Sequence, residues 1–135
     1  MVTIERVESI VLQRLEDMVL ARQAARRLAS ELGFSLVEQT KMVTAVSELA
    51  RNTLIHGEGG SATLEVVDQG GRRGLRITFQ DEGPGISDIE RAMTDGYTSR
   101  GGLGLGLGGA RRLVNDFELS SQPGEGTRVV ITRWK

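Results

Sequence analysis

Apolar residues in the first part of the chain follow an irregular pattern and then a helical one. Residues 2–12 carry apolar side chains at uneven spacing, and we interpret this segment as a strand. Residues 16–32 repeat apolar side chains every three or four positions, and a glycine follows where a helix would stop. Ser35 and Glu38 form a capping-box pattern, which predicts a second helix over residues 36–55. The predicted apolar stripe of this helix is Leu36, Val43, Val46, Leu49, Ala50 and Leu54.

The rest of the chain alternates apolar and polar residues over short stretches, as strands do. The predicted elements are strands at residues 62–68, 75–81, 117–121 and 127–134, a hairpin loop at residues 69–74, helices at residues 88–93 and 107–115, and a mobile loop at residues 97–106. Strands and helices mixed in this way predict an α+β fold. We expect a two-layer α/β sandwich whose mixed, mostly antiparallel sheet has its helices on one face.

The size and charge of the chain limit the classes of function open to it. A length of 135 residues suits one domain and is too short for two independent cores. The formal net charge of −1 gives no electrostatic reason to expect a nucleic-acid or membrane partner. The chain has no cysteine and no apolar run near the roughly 20 residues that a bilayer requires. We therefore expect one cytoplasmic domain over residues 1–135, of unknown oligomeric state.

Glu48, Asn52 and His56 are spaced four residues apart on the predicted second helix. This spacing places their side chains along one stripe of the helix. The Asn52 carboxamide offers a neutral oxygen to a hard cation such as Mg²⁺, and the Glu48 carboxylate can deprotonate a hydroxyl nucleophile. A polar helix face in contact with solvent is the alternative interpretation, and a position at the helix end explains His56.

The segment Asp81-Glu82-Gly83-Pro84-Gly85 directly follows a predicted strand. A carboxylate at a strand end can accept a hydrogen bond from an exocyclic amine such as that of adenine. The glycines beside it leave room for a flat ring to approach the backbone. A turn that simply ends the strand is the alternative interpretation, because Gly-Pro-Gly is common turn chemistry.

Glycines are concentrated just before the last predicted helix. The chain has 18 glycines, and six of them fall within nine positions: Gly101, Gly102, Gly104, Gly106, Gly108 and Gly109. Bare backbone N–H groups at a helix start favour phosphate oxygens. The segment lacks the Gly-Lys-Ser/Thr of a P-loop and fits the dinucleotide fingerprint poorly. A flexible loop with a glycine hinge is the alternative interpretation.

The order of these three motifs resembles the Bergerat nucleotide-binding fold, which is shared by gyrase B, histidine kinases and MutL. Gly126-Thr127 is also similar to the closing strand of that family. Within the family, the chain resembles the anti-sigma-factor serine/threonine kinases, and most closely the RsbT type of the stressosome switch. The similarity runs over nearly the whole chain, and its clearest stretches are residues 47–52, 81–86, 93–99 and 133–134.

This resemblance implies an ATP-binding kinase domain and a role for each motif. Asp81 would bind the adenine amine with Thr127 in support, Asn52 would hold Mg²⁺, and Glu48 would be the catalytic base. The other implied nucleotide contacts are Gly83, Gly85, Thr98, Ser99, Arg100, Gly102, Gly104 and Gly106, with an ATP lid over residues 96–106. His56 departs from the RsbT pattern, which leaves its role open.

The resemblance also implies partners. The acceptor would be a serine or threonine of a STAS-domain protein, and phosphorylation would release the kinase to a downstream PP2C-type phosphatase or sigma factor. The first alternative is an anti-sigma factor or binding module that sequesters its partner with ATP as the state signal. The second is an ATPase that hydrolyses ATP without any acceptor.

Overall fold

The computed structural model describes residues 1–86, 93 and 107–135 of the chain. The described elements are β1 (Val2–Leu12), α1 (Leu15–Glu31), α2 (Leu36–Ile55), β2 (Gly60–Gln69), β3 (Arg72–Asp81), α3 (Leu107–Arg112), β4 (Asp116–Ser121) and β5 (Thr127–Trp134). The five strands form one sheet in the order β1-β2-β3-β5-β4, and each described pairing is antiparallel. The predicted α+β fold is confirmed. The predicted helix at residues 88–93 and loop at 97–106 lie outside the described residues, except for Met93.

One apolar core lies between the sheet and the helices. Strand residues contribute alternate side chains to it, as a sheet covered on one face requires. Leu64 of β2, Ile77 of β3 and Ile131 of β5 are at most 1% exposed. Leu28 of α1 and Leu49 of α2 belong to the same cluster. None of the described helices is both long and apolar enough to cross a membrane.

Local capping chemistry sets the start of α2. The Ser35 hydroxyl accepts from the Glu38 N–H at 3.1 Å, and the Glu38 carboxylate accepts from the Ser35 N–H at 2.9 Å. These two bonds satisfy N–H groups that a helix start leaves without partners. The predicted bounds of α2 are confirmed. Gly33, with φ of 85°, ends α1 in the left-handed conformation that glycine adopts at helix ends.

The helix predicted at residues 107–115 ends earlier, at Arg112, and two further details of the prediction were wrong. Leu36 was placed in the buried stripe of α2, but it is 74% exposed because it lies in the first turn, ahead of Gln39, the first buried residue of the helix. The loop between β2 and β3 is also shorter than residues 69–74, because both strands extend towards each other. Only Gly70 and Gly71 remain between them, with φ of 63° and 87°. Positive φ at both central residues is typical of a tight hairpin turn.

The strand register brings distant residues to one end of the sheet. Asp81, the last residue of β3, pairs with Gly60 of β2 on one side and with Thr127 of β5 on the other. Thr127 in turn pairs with Ser121 of β4. The C-terminus of α2 reaches the same end, because only a short turn joins Ile55 to β2.

Candidate functional site

A buried carboxylate lies at the centre of this end of the sheet. Asp81 is 6% exposed, and its Oδ1 accepts from the N–H groups of Gly83 at 2.9 Å and Thr127 at 3.2 Å. Burial raises the pKa of the Asp81 carboxyl, and the two N–H bonds only partly oppose this rise. No group in the described part of the chain donates to Oδ2. One oxygen of Asp81 is therefore fixed by the backbone, and the other is available to a ligand.

Glycines allow the backbone to close around Asp81. A Cβ on Gly57 would overlap Cγ and Oδ2 of Asp81, and a Cβ on Gly126 would overlap the Asp81 carbonyl oxygen. A Cβ on Gly83 would lie 2.7 Å from the carbonyl oxygen of Gly57. The turn after α2, the end of β3 and the start of β5 can approach this closely only without these side chains.

Gly57 is a site residue that sequence reasoning missed. The structure packs it against Asp81, and its N–H donates to the Asn52 carbonyl oxygen at 3.1 Å. Its place directly after the Glu-x-x-x-Asn helix was the only signal in the sequence.

Asn52 presents an unpaired oxygen from the interior of α2. The residue is 5% exposed, and its Oδ1 is buried without a hydrogen-bond partner among the described residues. A buried carbonyl oxygen of this kind is costly unless a donor or cation reaches it. Asn52 therefore does not lie on a solvent-exposed polar face of α2, which was the alternative interpretation of this residue. Its unpaired oxygen fits the predicted role as a Mg²⁺ ligand, although no group of three or more His, Cys, Asp or Glu side chains that could hold a metal occurs in the described part.

Glu48 and His56 flank Asn52 on α2 in different environments. Glu48, one turn before Asn52, is exposed. His56 is half-buried at the C-cap, and its backbone N–H donates to the Asn52 carbonyl oxygen at 2.9 Å. Burial, and then the charge of Arg51, lower the pKa of His56, so the neutral imidazole is favoured at pH 7. Of these two side chains, only that of Glu48 is exposed to solvent.

Thr127 supports Asp81 through its backbone, while its hydroxyl bonds to Ser121. The two hydroxyl oxygens are 2.9 Å apart. Ser121 Oγ also donates to the Gly126 carbonyl oxygen at 2.9 Å and accepts from the Ile86 N–H at 2.7 Å. Since a serine hydroxyl has one proton, Thr127 is the donor in the bond between the two hydroxyls. Ser121 was missed, because its partners are distant in sequence and no motif marks it.

Gly85 brings the chain after β3 against the turn between β4 and β5. Its φ is 77°, and a Cβ there would overlap the Gln122 carbonyl oxygen. Pro84 accepts from the Gly124 N–H at 2.7 Å in the same contact. Two surface cavities, of about 430 and 550 Å³, include Asp81 in their lining.

Six predicted site residues lie outside the described part of the chain. They are Thr98, Ser99, Arg100, Gly102, Gly104 and Gly106. The described chain resumes at α3, whose first residue, Leu107, is fully buried in the core. Among the described predicted site residues, Asp81, Gly83, Gly85 and Thr127 lie in one cluster. Asn52 is linked to it through Gly57, which packs against Asp81 and whose N–H donates to the Asn52 carbonyl oxygen.

Comparison with known proteins identifies the family. The family described as "Histidine kinase-, DNA gyrase B-, and HSP90-like ATPase" matches residues 37–135, which include every predicted site residue. The chain belongs to this ATPase family. The predicted Bergerat-type fold is confirmed with it.

The chain is also similar to individual members of the family. It is 47% identical over 118 residues to the serine/threonine-protein kinase RsbT of Bacillus subtilis, covering 87% of this chain and 89% of that protein. It is 34% identical over 134 residues to an anti-sigma F factor of Clostridium acetobutylicum, covering 95% and 92% of the two proteins. The predicted resemblance to anti-sigma-factor kinases of the RsbT type is confirmed.

A solved structure supports the fold of this ATPase-family chain independently. The crystal structure of the RsbU and RsbW domains of a Mycobacterium tuberculosis protein matches with a TM-score of 0.67 at 19% identity. The match covers 96% of this chain and 33% of that longer protein. At this identity the likeness bears on the fold alone.

Proposed function

We propose that this chain is an ATP-dependent serine/threonine protein kinase of a partner-switching system, acting as a single cytoplasmic domain over residues 1–135. The observation that carries the proposal is the Asp81 carboxylate, with Oδ1 held by two backbone N–H groups and Oδ2 left to accept a further hydrogen bond. The 47% identity to a serine/threonine-protein kinase supports the same activity.

The first step is recognition of the adenine base. Oδ2 of Asp81 accepts from the exocyclic amine, while the Gly83 and Thr127 N–H groups hold the carboxylate in place. Gly83 and Gly85 let the chain after β3 pack against Gly57 and Gln122, which holds the surface beside Asp81 in place. Ser121 fixes both ends of this surface through Ile86 and Gly126.

The second step is placement of the phosphates. Asn52 Oδ1, buried and unpaired in the described structure, is the protein ligand of Mg²⁺. The ion, when bound with ATP, neutralises phosphate charge, which is much of what phosphoryl transfer requires. Thr98, Ser99, Arg100, Gly102, Gly104 and Gly106 complete the phosphate contacts in this proposal.

The third step is activation of the acceptor hydroxyl. Glu48 is one helical turn from Asn52, and its exposure makes it accessible to a side chain of another protein. The carboxylate accepts the hydroxyl proton as the oxygen attacks the γ-phosphorus and the bond to the β-phosphate oxygen breaks. The products are a phosphoserine or phosphothreonine and ADP.

The acceptor in this proposal is a STAS-domain protein, and its phosphorylation frees the kinase for a PP2C-type phosphatase or a sigma factor. The alternative function is an anti-sigma factor that sequesters its partner, with nucleotide as the state signal. The 34% identity to an anti-sigma F factor favours this alternative. Phosphate transfer to the partner distinguishes the two.

Incubation with radiolabelled ATP and candidate STAS proteins tests the kinase activity. We expect label on the STAS protein, stable to acid and lost after its acceptor serine or threonine is replaced by alanine. Stable binding of a STAS protein or sigma factor with no transferred label would instead support the binding module.

Replacing Gly57 by alanine is expected to lower the affinity for ATP at least tenfold. The added methyl group would overlap the Asp81 carboxylate, so either Asp81 or the end of α2 must move. Because overpacking typically costs about 1–3 kcal/mol, the free energy of unfolding should fall as well. Equilibrium binding and urea denaturation measure the two effects.

The Asp81→Ala background provides the control for Gly57. Without the carboxylate the methyl group no longer overlaps Cγ and Oδ2 and meets only the Cβ of residue 81, at 2.6 Å. Gly57→Ala should therefore cost less unfolding free energy in that background than in the native chain. An equal cost in both backgrounds would show that Gly57 acts through some other contact.

A further inference from the structure

Three side chains lie in one row at the end of the sheet that carries Asp81. Thr127 of β5 pairs with Asp81 of β3 on one side and with Ser121 of β4 on the other. Residues paired across neighbouring strands project from the same face, with Cβ atoms about 4.5–5.5 Å apart. This is the face covered by the helices, because Phe79 and Val129, two positions along the same strands, belong to the core. The Thr127 side chain therefore lies between the Asp81 carboxylate and the Ser121 hydroxyl.

The hydrogen bonds of the Ser121 hydroxyl are fully used. Its single proton is donated to the Gly126 carbonyl oxygen at 2.9 Å, and its oxygen accepts from the Ile86 N–H at 2.7 Å. The Thr127 hydroxyl oxygen lies 2.9 Å away. A hydroxyl group has one proton to donate and two lone pairs to accept with. The bond between the two hydroxyls therefore uses the proton of Thr127.

This bond decides what Thr127 offers to a ligand. With its proton held by Ser121, the Thr127 oxygen can form a further hydrogen bond only as an acceptor. The neighbouring Asp81 carboxylate is also an acceptor, and its Oδ1 is already held by the Gly83 and Thr127 N–H groups. Oδ2 of Asp81 and the hydroxyl oxygen of Thr127 therefore present two acceptors and no donor, side by side.

We propose that Ser121 is a positioning residue that makes this site select purines with an amino group at C6 over purines with a carbonyl oxygen there. The inference rests on the proposed function, because it assumes that Asp81 meets C6 of the base. An exocyclic amine has two N–H groups, one for Asp81 and one for Thr127. A carbonyl oxygen at C6 would meet two acceptors without a proton to share. Ser121 touches no ligand and acts by keeping the Thr127 proton away from the base.

A purely structural role for Ser121 makes a different prediction. Its bonds to Ile86 and Gly126 also tie the chain after β3 to the start of β5. Loss of these ties alone would weaken the binding of every purine nucleotide alike. Release of the Thr127 proton would instead change the affinity for one purine relative to another. The ratio of the affinities for ATP and inosine triphosphate separates the two roles, because inosine carries a carbonyl oxygen at C6.

Competition binding with ATP and inosine triphosphate, with magnesium present, tests the role of Ser121. We expect the native chain to prefer ATP. In Ser121→Ala the Thr127 hydroxyl is free to turn and donate to a carbonyl oxygen at C6. The preference for ATP should therefore fall about three- to tenfold, the effect of one hydrogen bond. Ser121→Thr keeps a hydroxyl group and should retain the native preference. Equal losses of affinity for both nucleotides in Ser121→Ala would overturn the proposal.

Thr127→Val provides the matched test, because it removes the hydroxyl that Ser121 controls and keeps the shape of the side chain. We expect this variant alone to lower the preference for ATP. Adding Ser121→Ala to it should change the preference no further, because the two residues act through one bond. Urea denaturation shows whether each variant is folded. If Ser121→Ala does not fold, Thr127→Val decides, and a native preference in that variant would overturn the proposal.

The native chain distinguishes failure of this inference from failure of the proposed function. No binding of ATP, or equal affinity for ATP and inosine triphosphate, would contradict base recognition at Asp81 and the role of Ser121 together. A native preference for ATP that neither Ser121→Ala nor Thr127→Val changes would overturn the role of Ser121 alone.

Discussion

Replacing Glu48 by alanine is expected to abolish phosphate transfer while changing ATP affinity by less than about tenfold, or 1.4 kcal/mol. Glu48 is exposed on α2 and is not part of the buried core, so the substitution should leave the fold intact. The base is needed only when the acceptor hydroxyl attacks. Its removal should therefore lower the rate of phosphate transfer and leave nucleotide binding nearly unchanged. The rate of label transfer and the ATP dissociation constant should be measured on the same preparation.

Two variants control for shape and for charge. Glu48→Gln keeps the size of the side chain and removes the base, so it should fail as completely as the alanine variant. Glu16→Ala removes an exposed glutamate from α1 and should transfer phosphate at the native rate. Transfer by Glu48→Ala at the native rate would show that another group is the base.

Replacing Asp81 by asparagine is expected to weaken ATP binding itself, by about tenfold to a hundredfold. The amide oxygen can still accept from the Gly83 and Thr127 N–H groups, which orients the side chain as before. Its NH₂ group then takes the position of Oδ2 and meets the adenine amine donor to donor. A buried polar group left unpaired in this way costs about 1–3 kcal/mol. Displacement of a fluorescent ATP analogue measures the loss.

The pH dependence of binding shows whether the Asp81 charge is responsible. Because burial raises the pKa of this carboxyl, its protonation begins at a higher pH than for an ordinary aspartate. The native affinity should therefore fall relative to that of Asp81→Asn as the pH is lowered into this raised range. Native affinity in the asparagine variant at neutral pH would remove Asp81 from base recognition.

Local chemistry made α2 predictable to its ends. The capping box needs only Ser35 and Glu38, three residues apart, and both of its hydrogen bonds form. The exposure of Leu36 was not predictable in the same way. Periodicity predicts the face of the helix on which a side chain lies. Whether that side chain is buried depends on where the rest of the chain packs against the helix.

The site was predictable where a motif marks it and not where contacts are long-range. Asp81 and Asn52 stand in recognisable patterns, and the structure buries both. Gly57 is identified only by its contact with Asp81, which lies 24 positions later. Ser121 is identified only by its hydrogen bond to the N–H of Ile86, which lies 35 positions earlier. Such contacts arise from the pairing register of the strands and from the turns that reverse the chain. Neither can be deduced from a single sequence.

Calorimetric titration with ATP and GTP in the presence of magnesium tests base recognition at Asp81 most directly. We expect ATP to bind with one site per chain. GTP should bind much more weakly, because its C6 carbonyl oxygen would face the Asp81 carboxylate, acceptor to acceptor. Absence of any heat of binding with ATP, or equal affinity for the two nucleotides, would contradict the assignment of this site.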